Sequence, residues 1–305
     1  PYYFKKERGD VELNPLSEDC ANWDMWSEFK NPLEWANYSM YLMPKSVQGS
    51  DPFWVDAART IFNSLAWRLR NHAERSPIFL LRTLLTSSLE ELQGMLKDTE
   101  AENLVSKEIE KTAISIKSVL ATYTKSLRFL EGLDQRGVTP FSINQWARKA
   151  SKKRNWLFIT SKATYHHEMK PLLTSWLGLA MSAIQSLPVQ QETRIWLVMD
   201  ELASLQRLEM LSDTLADIRK FGGCVAIGLQ SIAQAEFLYG RYEAHAITDL
   251  LNTSVYSRSP KHHIAKWVAN DLGEQAIKEV RESQSYGPNP IRDGNTVGTQ
   301  RVSRL

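Results

Sequence analysis

The sequence predicts an α/β fold with a mostly parallel, doubly wound sheet and an all-helical block. Between residues 151 and 272, short apolar runs typical of strands alternate with helical segments, as in parallel sheets joined by crossover helices. Residues 76–150 instead show helical spacing with hardly a credible strand among them. We therefore expect a first part of the sheet domain over 1–70, the helical insertion over 71–150 and the second part of the sheet domain over 151–305.

The first 70 residues are expected to form one strand, a long loop and one helix. The strand covers 11–13 and is closed by Asn14-Pro15, because proline biases the preceding residue away from helix. A loop then runs to residue 50. Asp51-Pro52 provides a cap and first turn for a helix over 51–70, whose apolar residues recur at helical spacing.

The remaining elements follow from periodicity and from stop signals. Further helical patterns occupy 78–86, 89–96, 104–129, 143–150, 171–187, 205–220 and 264–272, the last ending at Gly273. Apolar runs predict strands at 156–160, 195–199, 224–229 and 254–258. We expect loop or extended structure over 283–305.

Composition excludes several classes of protein. With 43% hydrophobic and 24% charged residues, the 305-residue chain is an ordinary globular polypeptide, and a net charge of +2 is too balanced to indicate nucleic-acid binding by itself. Its two cysteines form no CxxC pair, which argues against a structural zinc site and fits a reducing compartment. No apolar run approaches the roughly 20 residues of a membrane span. The adjacent histidine pairs His166-His167 and His262-His263 are poor metal sites, so we expect all four side chains at the surface.

The clearest chemical signal is an apolar strand, 195–199, that ends in two carboxylates, Asp200 and Glu201. Open parallel sheets place their ligands at this end of the strands. The pattern has the form of a Walker B element, in which the first acid serves the magnesium shell and the second orients the attacking water. The alternative is an Asp-Glu pair at a helix start, where acids favour the helix dipole.

A second strand end supports the first interpretation. The run 224–229 is followed by Gln230, whose amide would lie at the same edge of the sheet and could sense a phosphate or position a water. Alternatively, Gln230 caps the next helix. An Asp-Glu strand and a Gln-Ser strand joined by one helix are more specific together than either is alone.

These stretches resemble the TraD/TraG family of conjugative coupling proteins in order and spacing. The similar sequences are Trp196-Leu197-Val198-Met199-Asp200-Glu201-Leu202-Ala203-Ser204-Leu205, Arg219-Lys220-Phe221-Gly222-Gly223 and Gly228-Leu229-Gln230-Ser231. The resemblance covers most of the chain. It implies a RecA-like P-loop NTPase motor domain with an inserted all-α domain, using ATP and Mg²⁺ in a homohexameric ring. It also implies DNA, a relaxase and a type IV secretion channel as partners, at the cytoplasmic face of the bacterial inner membrane.

One part of the family pattern is missing, because no G-x-x-x-x-G-K-[ST] sequence occurs in the chain. The first residues resemble the part of the family that follows the P-loop. We therefore expect the P-loop and a membrane anchor upstream of Pro1, and no ATP hydrolysis by this segment alone.

Arginines and a basic cluster complete the candidate residues. Arg219, inside the family motif, and Arg258 are candidates for the arginine that completes a neighbouring subunit's site, although either could be an ordinary surface residue. The cluster that could engage a DNA backbone, or simply form a solvated helix end, consists of Arg148, Lys149, Lys152, Lys153 and Arg154. Trp146 and Trp156 could stack on bases there, but we expect Trp156 to pack in the core.

Three functions remain open from the sequence. The leading hypothesis is an ATP-driven DNA translocase that couples a DNA–relaxase complex to a secretion channel. A DNA pump related to FtsK would use the same chemistry. The third hypothesis is a non-catalytic adaptor that docks a DNA-processing complex through the helical insertion and the basic cluster.

Overall fold

The computed structural model describes residues 2–46, 51–150, 154–189, 194–257, 262–285 and 292–303. These residues fall into two compact units, Pro1–Leu251 and Asn252–Leu305. The helices of the first unit are α1 (Pro32–Leu42), α2 (Pro52–Arg68), α3 (Pro77–Thr86), α4 (Leu89–Met95), α5 (Glu110–Thr124), α6 (Ile143–Ala150), α7 (His166–Gln185), α8 (Leu211–Asp217), α9 (Ile232–Tyr239) and α10 (Arg241–Asp249). Its strands are β1 (Val11–Leu13), β2 (Leu157–Ile159), β3 (Ile195–Met199) and β4 (Gly223–Ile227).

The four strands of the first unit form two parallel pairs. β1 pairs with β2, so that Val11 lies opposite Leu157, and β3 pairs with β4. Parallel pairing, which the alternation of strands and helices predicts, is confirmed. Among the described residues the two pairs are separate two-stranded sheets, each much smaller than the single doubly wound sheet we expected.

β3 is covered by the core on one face only. Ile195, Leu197 and Met199 are buried, whereas Trp196 is 65% exposed and Val198 is 72% exposed. This alternation follows from the strand's two-residue period. The buried face turns towards the core, and the opposite face is open.

The core of the first unit is rich in aromatic side chains. Trp35 and Tyr38 of α1, Phe62 of α2 and Trp176 of α7 are almost completely buried. α7 approaches α1 very closely at Gly178, where a Cβ atom would lie 2.2 Å from Cγ of Tyr41. The glycine therefore allows the contact that holds α7 against α1.

Capping residues start the helices where the sequence indicates. Asp51 accepts a hydrogen bond from the backbone N–H of Phe53 (3.0 Å), with Pro52 in the first turn. Ser88 and Glu91 form a complete capping box at the start of α4. The expected helices over 51–70, 78–86, 89–96 and 143–150 are confirmed. The 104–129 pattern is helical too, but it is divided into 3-10 turns and α5.

The expected loop through residue 50 contains a helix, α1, so that expectation is wrong. Asn31 caps α1 by accepting a hydrogen bond from the Glu34 N–H (3.1 Å), and Pro32 occupies the first turn. Within this stretch, Trp26, Trp35, Tyr38 and Tyr41 are buried in the core. α7 also begins five residues before the expected position, and it includes Pro171.

The helix expected over 205–220 is formed from residue 211 onward, by α8 and the 3-10 turn Ile218–Phe221, whereas residues 205–210 are irregular. The N–H of Gln206 donates to Oγ1 of Thr174 (3.0 Å), and the N–H of Leu208 donates to the hydroxyl of Tyr239 (3.3 Å). Because side chains of α7 and α9 satisfy these backbone groups, the segment does not need helical hydrogen bonds.

The second unit differs from the sequence prediction in two places. The strand expected at 254–258 is not formed by residues 254–257, where Val255 is 88% exposed, and Arg258 lies outside the described residues. α11 (His262–Leu272) ends before Gly273 as predicted, and β5 (Glu274–Ser285) then pairs antiparallel with β6 (Arg292–Ser303). Most described residues of the tail 283–305, which we expected to be loop or extended structure, are thus in the extended strands of this hairpin.

The buried carboxylate of Glu28 fixes the start of α6. It accepts hydrogen bonds from the backbone N–H groups of Ile143 (2.6 Å) and Asn144 (3.0 Å), from Oγ of Ser142 (2.9 Å) and from Nε1 of Trp23 (2.9 Å). Burial raises the pKa of Glu28, while these four hydrogen bonds act in the opposite direction. Glu28 thus caps α6 from a distant part of the chain.

We predict that Glu28→Ala lowers the free energy of unfolding by at least about 3 kcal/mol, because four donors lose their shared acceptor in a buried site. Chemical denaturation of the variant beside Glu100→Ala, which removes an exposed carboxylate, measures the effect. Equal stability of the two variants would contradict the role assigned to Glu28.

Candidate nucleotide site

The register of β3 and β4 brings two strand ends to one edge. Ile195 lies opposite Gly223 and Met199 lies opposite Ile227, so the strands end side by side. The next residues are Asp200 and Glu201 after β3 and Gly228 after β4. The predicted convergence of the two strand ends at one sheet edge is therefore present in the structure.

The backbone crosses very closely at this edge. The N–H of Gly228 donates to the carbonyl of Met199 (2.7 Å), and its own carbonyl accepts from the N–H of Leu202 (3.0 Å). A Cβ atom on residue 228 would lie 2.0 Å from the carbonyl oxygen of Asp200. Only glycine fits this position without moving the backbone that carries the carboxylates.

The two carboxylates differ in their surroundings. The side chain of Asp200 is exposed. Glu201 is half-buried and caps the short 3-10 turn Leu202–Ser204, with its Oε1 accepting a long hydrogen bond from the N–H of Ala203 (3.3 Å). Glu201 thus also has the alternative role that we considered from the sequence, that of an acidic residue at the start of a helical turn. A carboxylate has several further acceptor positions, so this one bond leaves Glu201 able to bind a water molecule.

Gln230 is exposed just beyond the end of β4. The cap of α9 is supplied by Ser231, whose Oγ accepts from the N–H of Ala233 (3.3 Å). The amide of Gln230 is therefore not used as the cap that we considered. It remains available to a ligand at the strand ends.

The candidate arginine Arg219 is exposed in the 3-10 turn Ile218–Phe221, which ends at Gly222 with φ of 82°. The carbonyl of Gly222 accepts the N–H of Ile195, so this turn leads directly into the β3–β4 pair. Because its guanidinium is exposed, Arg219 is accessible to a neighbouring subunit. The other candidate, Arg258, lies outside the described residues.

His166, expected at the surface, is half-buried and hydrogen-bonded on both sides of its ring, so that expectation is wrong. Its Nδ1 lies 2.7 Å from Oγ of Ser161, and its Nε2 lies 2.9 Å from the carbonyl oxygen of Ser204. Sequence reasoning missed both His166 and Gly228 as site residues. A glycine directly after an apolar strand was an available signal for Gly228, whereas nothing local marks His166.

The chemistry of these side chains fits a nucleotide with magnesium. Mg²⁺ keeps several water ligands and uses one or two carboxylates with substrate phosphates, as an exposed Asp200 permits. No group of three or more His, Cys, Asp or Glu side chains suited to a metal occurs within the described ranges, so a cage made by protein alone is absent there.

The basic segment, residues 148–154, forms a second candidate surface. Arg148 and Lys149 are exposed in the last turn of α6, and Arg154 is exposed just before β2. Lys152 and Lys153 lie outside the described residues. Trp156 is 48% exposed and precedes β2, so the expectation that it packs in the core is wrong.

A buried carboxylate anchors the end of the basic segment. Oδ1 of Asp10 accepts from the N–H of Trp156 (2.9 Å), and Oδ2 lies 2.5 Å from Nη2 of Arg8. The hydrogen bond from Arg8 lowers the pKa of Asp10 to about 2. The guanidinium of Arg8 also lies over the Trp156 ring, 4.7 Å from its centroid. Asp10 and Glu28 therefore bind the chain on either side of the basic segment, at Trp156 and at the start of α6.

Parallel strand pairs, crossover helices and paired carboxylates at a strand end define the RecA-like class of α/β nucleotide-binding proteins. A family model described as the type IV secretion-system coupling protein DNA-binding domain matches residues 2–305. The chain therefore belongs to the family of type IV secretion-system coupling proteins.

Known proteins of this family are similar over most of the chain. The coupling protein TraD of Escherichia coli (strain K12) is 40% identical over 291 residues, covering 95% of this chain and 40% of TraD. The unbound monoclinic form of the bacterial conjugative coupling protein TrwBΔN70 superposes with a TM-score of 0.79 at 26% identity, covering 96% of this chain and 66% of that one. TrwB in complex with ADP and Mg²⁺ gives a TM-score of 0.70 at 28% identity, covering 79% and 57%. The chain thus spans less than two thirds of the length of each of these relatives. The superposition on TrwBΔN70 confirms the predicted RecA-like fold with an all-helical insertion.

We predict that Gly228→Ala lowers the free energy of unfolding by about 1 to 3 kcal/mol, because the added methyl group meets the backbone of Asp200. Gly94→Ala in α4 is the matched control, since a Cβ there meets no atom within 4 Å and alanine favours helix. Chemical denaturation compares them, and a Gly228→Ala variant as stable as Gly94→Ala would contradict the close crossing.

Proposed function

We propose that this chain forms part of an ATP-driven DNA translocase that couples a DNA–relaxase complex to a type IV secretion channel. The observation that carries the proposal is the shared edge of β3 and β4, where Asp200 and Glu201 adjoin the strand that leads to Gln230. The similarity to TrwB, whose solved complexes contain ADP with Mg²⁺ or the ATP analogue ADPNP, supports it.

The side chains at this edge have separate roles in the proposal. Asp200, exposed, holds the magnesium ion through water. Glu201, with free acceptor positions, orients the water that attacks the terminal phosphate and accepts its proton. Gln230 contacts the phosphate or the water from the neighbouring strand. MgATP would supply the chemical energy for movement, since water attack at its terminal phosphate gives ADP and phosphate with release of free energy.

The remaining parts of the active site are expected from other segments. The 305 residues contain no G-x-x-x-x-G-K-[ST] sequence, so we propose that this segment alone does not turn over ATP. In a homohexameric ring, the exposed Arg219 would reach the site of a neighbouring subunit and stabilise charge in the transition state. The domain boundaries 1–70, 71–150 and 151–305 remain predictions within this scheme.

DNA is the proposed cargo. The matching family model describes a DNA-binding domain, which supports this assignment. Arg148, Lys149 and Arg154 offer exposed positive charge, and Glu28 and Asp10 bind the backbone at residues 143–144 and 156 on either side of them. Contacts of this kind engage phosphates without reading sequence. The proposed place of action is the cytoplasmic face of the bacterial inner membrane. Among the residues that the structure describes, no helix has the length and apolarity to span a bilayer.

We predict that Glu201→Gln in the complete gene product lowers DNA-stimulated ATP hydrolysis by at least about a hundredfold, because a general base of this kind contributes that much. Nucleotide binding is retained, since the amide keeps the shape of the side chain. Steady-state hydrolysis with and without DNA, together with equilibrium binding of a labelled nucleotide, measures both effects.

The control is Asp213→Asn, which removes an exposed carboxylate on α8 and is expected to hydrolyse ATP normally. Normal turnover by Glu201→Gln would contradict the assignment of Glu201. No hydrolysis by the wild-type protein in a correctly assembled ring would instead favour the non-catalytic adaptor.

We predict that replacing both Arg148 and Lys149 by alanine weakens DNA binding equally for unrelated sequences. The slope of log K against log salt concentration, where K is the association constant for DNA, is negative. Its magnitude should decrease by about 2, because about one counterion is released per phosphate contact. Binding titrations at several salt concentrations measure the slope. Replacement of Lys111 and Lys125, exposed in the helical block, provides the charge-matched control, and identical slopes for the two double variants would contradict the proposal.

A further inference from the structure

His166 joins the ends of two strands that belong to different sheets. Ser161, beside its Nδ1, follows the end of β2, and Ser204, beside its Nε2, ends the turn that begins at Glu201. β2 and β3 share no backbone pairing in the described parts of the chain. The imidazole at the start of α7 thus connects the β1–β2 pair with the segment that carries the carboxylates.

The two partners define which ring nitrogen carries the proton. A backbone carbonyl can only accept, so Nε2 must donate its N–H to Ser204. Nδ1 of the neutral ring then accepts from the hydroxyl of Ser161, which can rotate to donate. This arrangement uses both nitrogens of His166 and fixes the plane of the ring.

The turn held by His166 is continuous with Glu201. The N–H and Oγ of Ser204 both donate to the carbonyl of Glu201, at 3.2 and 2.7 Å. Leu202, completely buried, donates its N–H to Gly228. The turn is therefore attached to β4 at one end, and at Ser204 it is attached to α7 through His166.

We propose that His166 is a positioning residue that holds the Glu201 carboxylate in the orientation needed for water activation. This inference rests on the proposed function, because it assigns a role relative to Glu201. The half-buried imidazole makes its polar contacts with Ser161, two residues after β2, and with Ser204, the last residue of the 3-10 turn that Glu201 caps. Loss of the Ser204 contact would release the far end of the turn, with the Ala203 N–H that binds Oε1 of Glu201, while Leu202 stays attached to Gly228.

The test compares four variants in the complete gene product by DNA-stimulated ATP hydrolysis. His166→Ala removes both contacts and should lower kcat by about tenfold to a hundredfold, as misplacement of a reacting group by about an ångström does, with little change in KM for ATP. His166→Gln places an amide N–H close to the position of Nε2 and should restore most of kcat. His166→Asn reaches only as far as Nδ1, so it should behave like alanine. His167→Ala removes the exposed neighbouring imidazole and should match the wild type.

The outcomes separate this inference from the proposed function. If Glu201→Gln abolishes hydrolysis while His166→Ala has the kcat of His167→Ala, the positioning role is wrong and the proposed function stands. If His166→Ala instead loses nucleotide binding or ring assembly, and His166→Gln does not restore them, the residue is structural and the inference is also overturned. If the wild type does not hydrolyse ATP, the proposed function fails. Amide hydrogen exchange of Leu202, Ser204 and Gln206 then still decides whether His166 holds the turn, because exchange as slow in His166→Ala as in His167→Ala would exclude it.

Discussion

The in-register parallel pairing of β3 with β4 is the constraint on which the candidate site depends. Each strand has only five residues, and their ends coincide because Met199 lies opposite Ile227. A shift of one residue would turn every side chain of the strand to the other face. It would also separate Gly228 from the backbone of Asp200. The short pair therefore sets the place of both carboxylates and of Gln230 at once.

Sequence patterns predicted the parts of the fold whose signals are local. The apolar run 195–199, the helical pattern 89–96 and the Asp51-Pro52 helix start each depend on residues close in the chain, and the structure contains all three. The helix α1 was missed although its Asn31 cap is a local signal, whereas two other missed features depend on partners outside their own segment. The backbone of residues 206–208 is satisfied by Thr174 and Tyr239, and β6 has its partner in β5, so neither has a strong signal of its own.

The same distinction applies to the functional surfaces. Asp200, Glu201 and Gln230 could be proposed from their residue types and their positions after strands. The contacts of His166 could not, because Ser204 is 38 residues away along the chain. The basic segment was visible as a run of charge, but the contacts that flank it were not, since Glu28 and Asp10 reach residues 142–144 and 156 from the first thirty residues. Charge patterns indicate what a surface can attract, whereas the buried acceptors that bind neighbouring backbone depend on distant parts of the chain.

The open face of β3 has a consequence for the handling of this polypeptide in solution. Parallel strands are almost always covered on both faces, yet Trp196 and Val198 lie exposed side by side on an otherwise well-packed unit. Apolar surface of this kind adheres to other apolar surfaces, including those of identical molecules. Covering Trp196 and Val198 would therefore remove one apolar surface through which copies of the chain could associate.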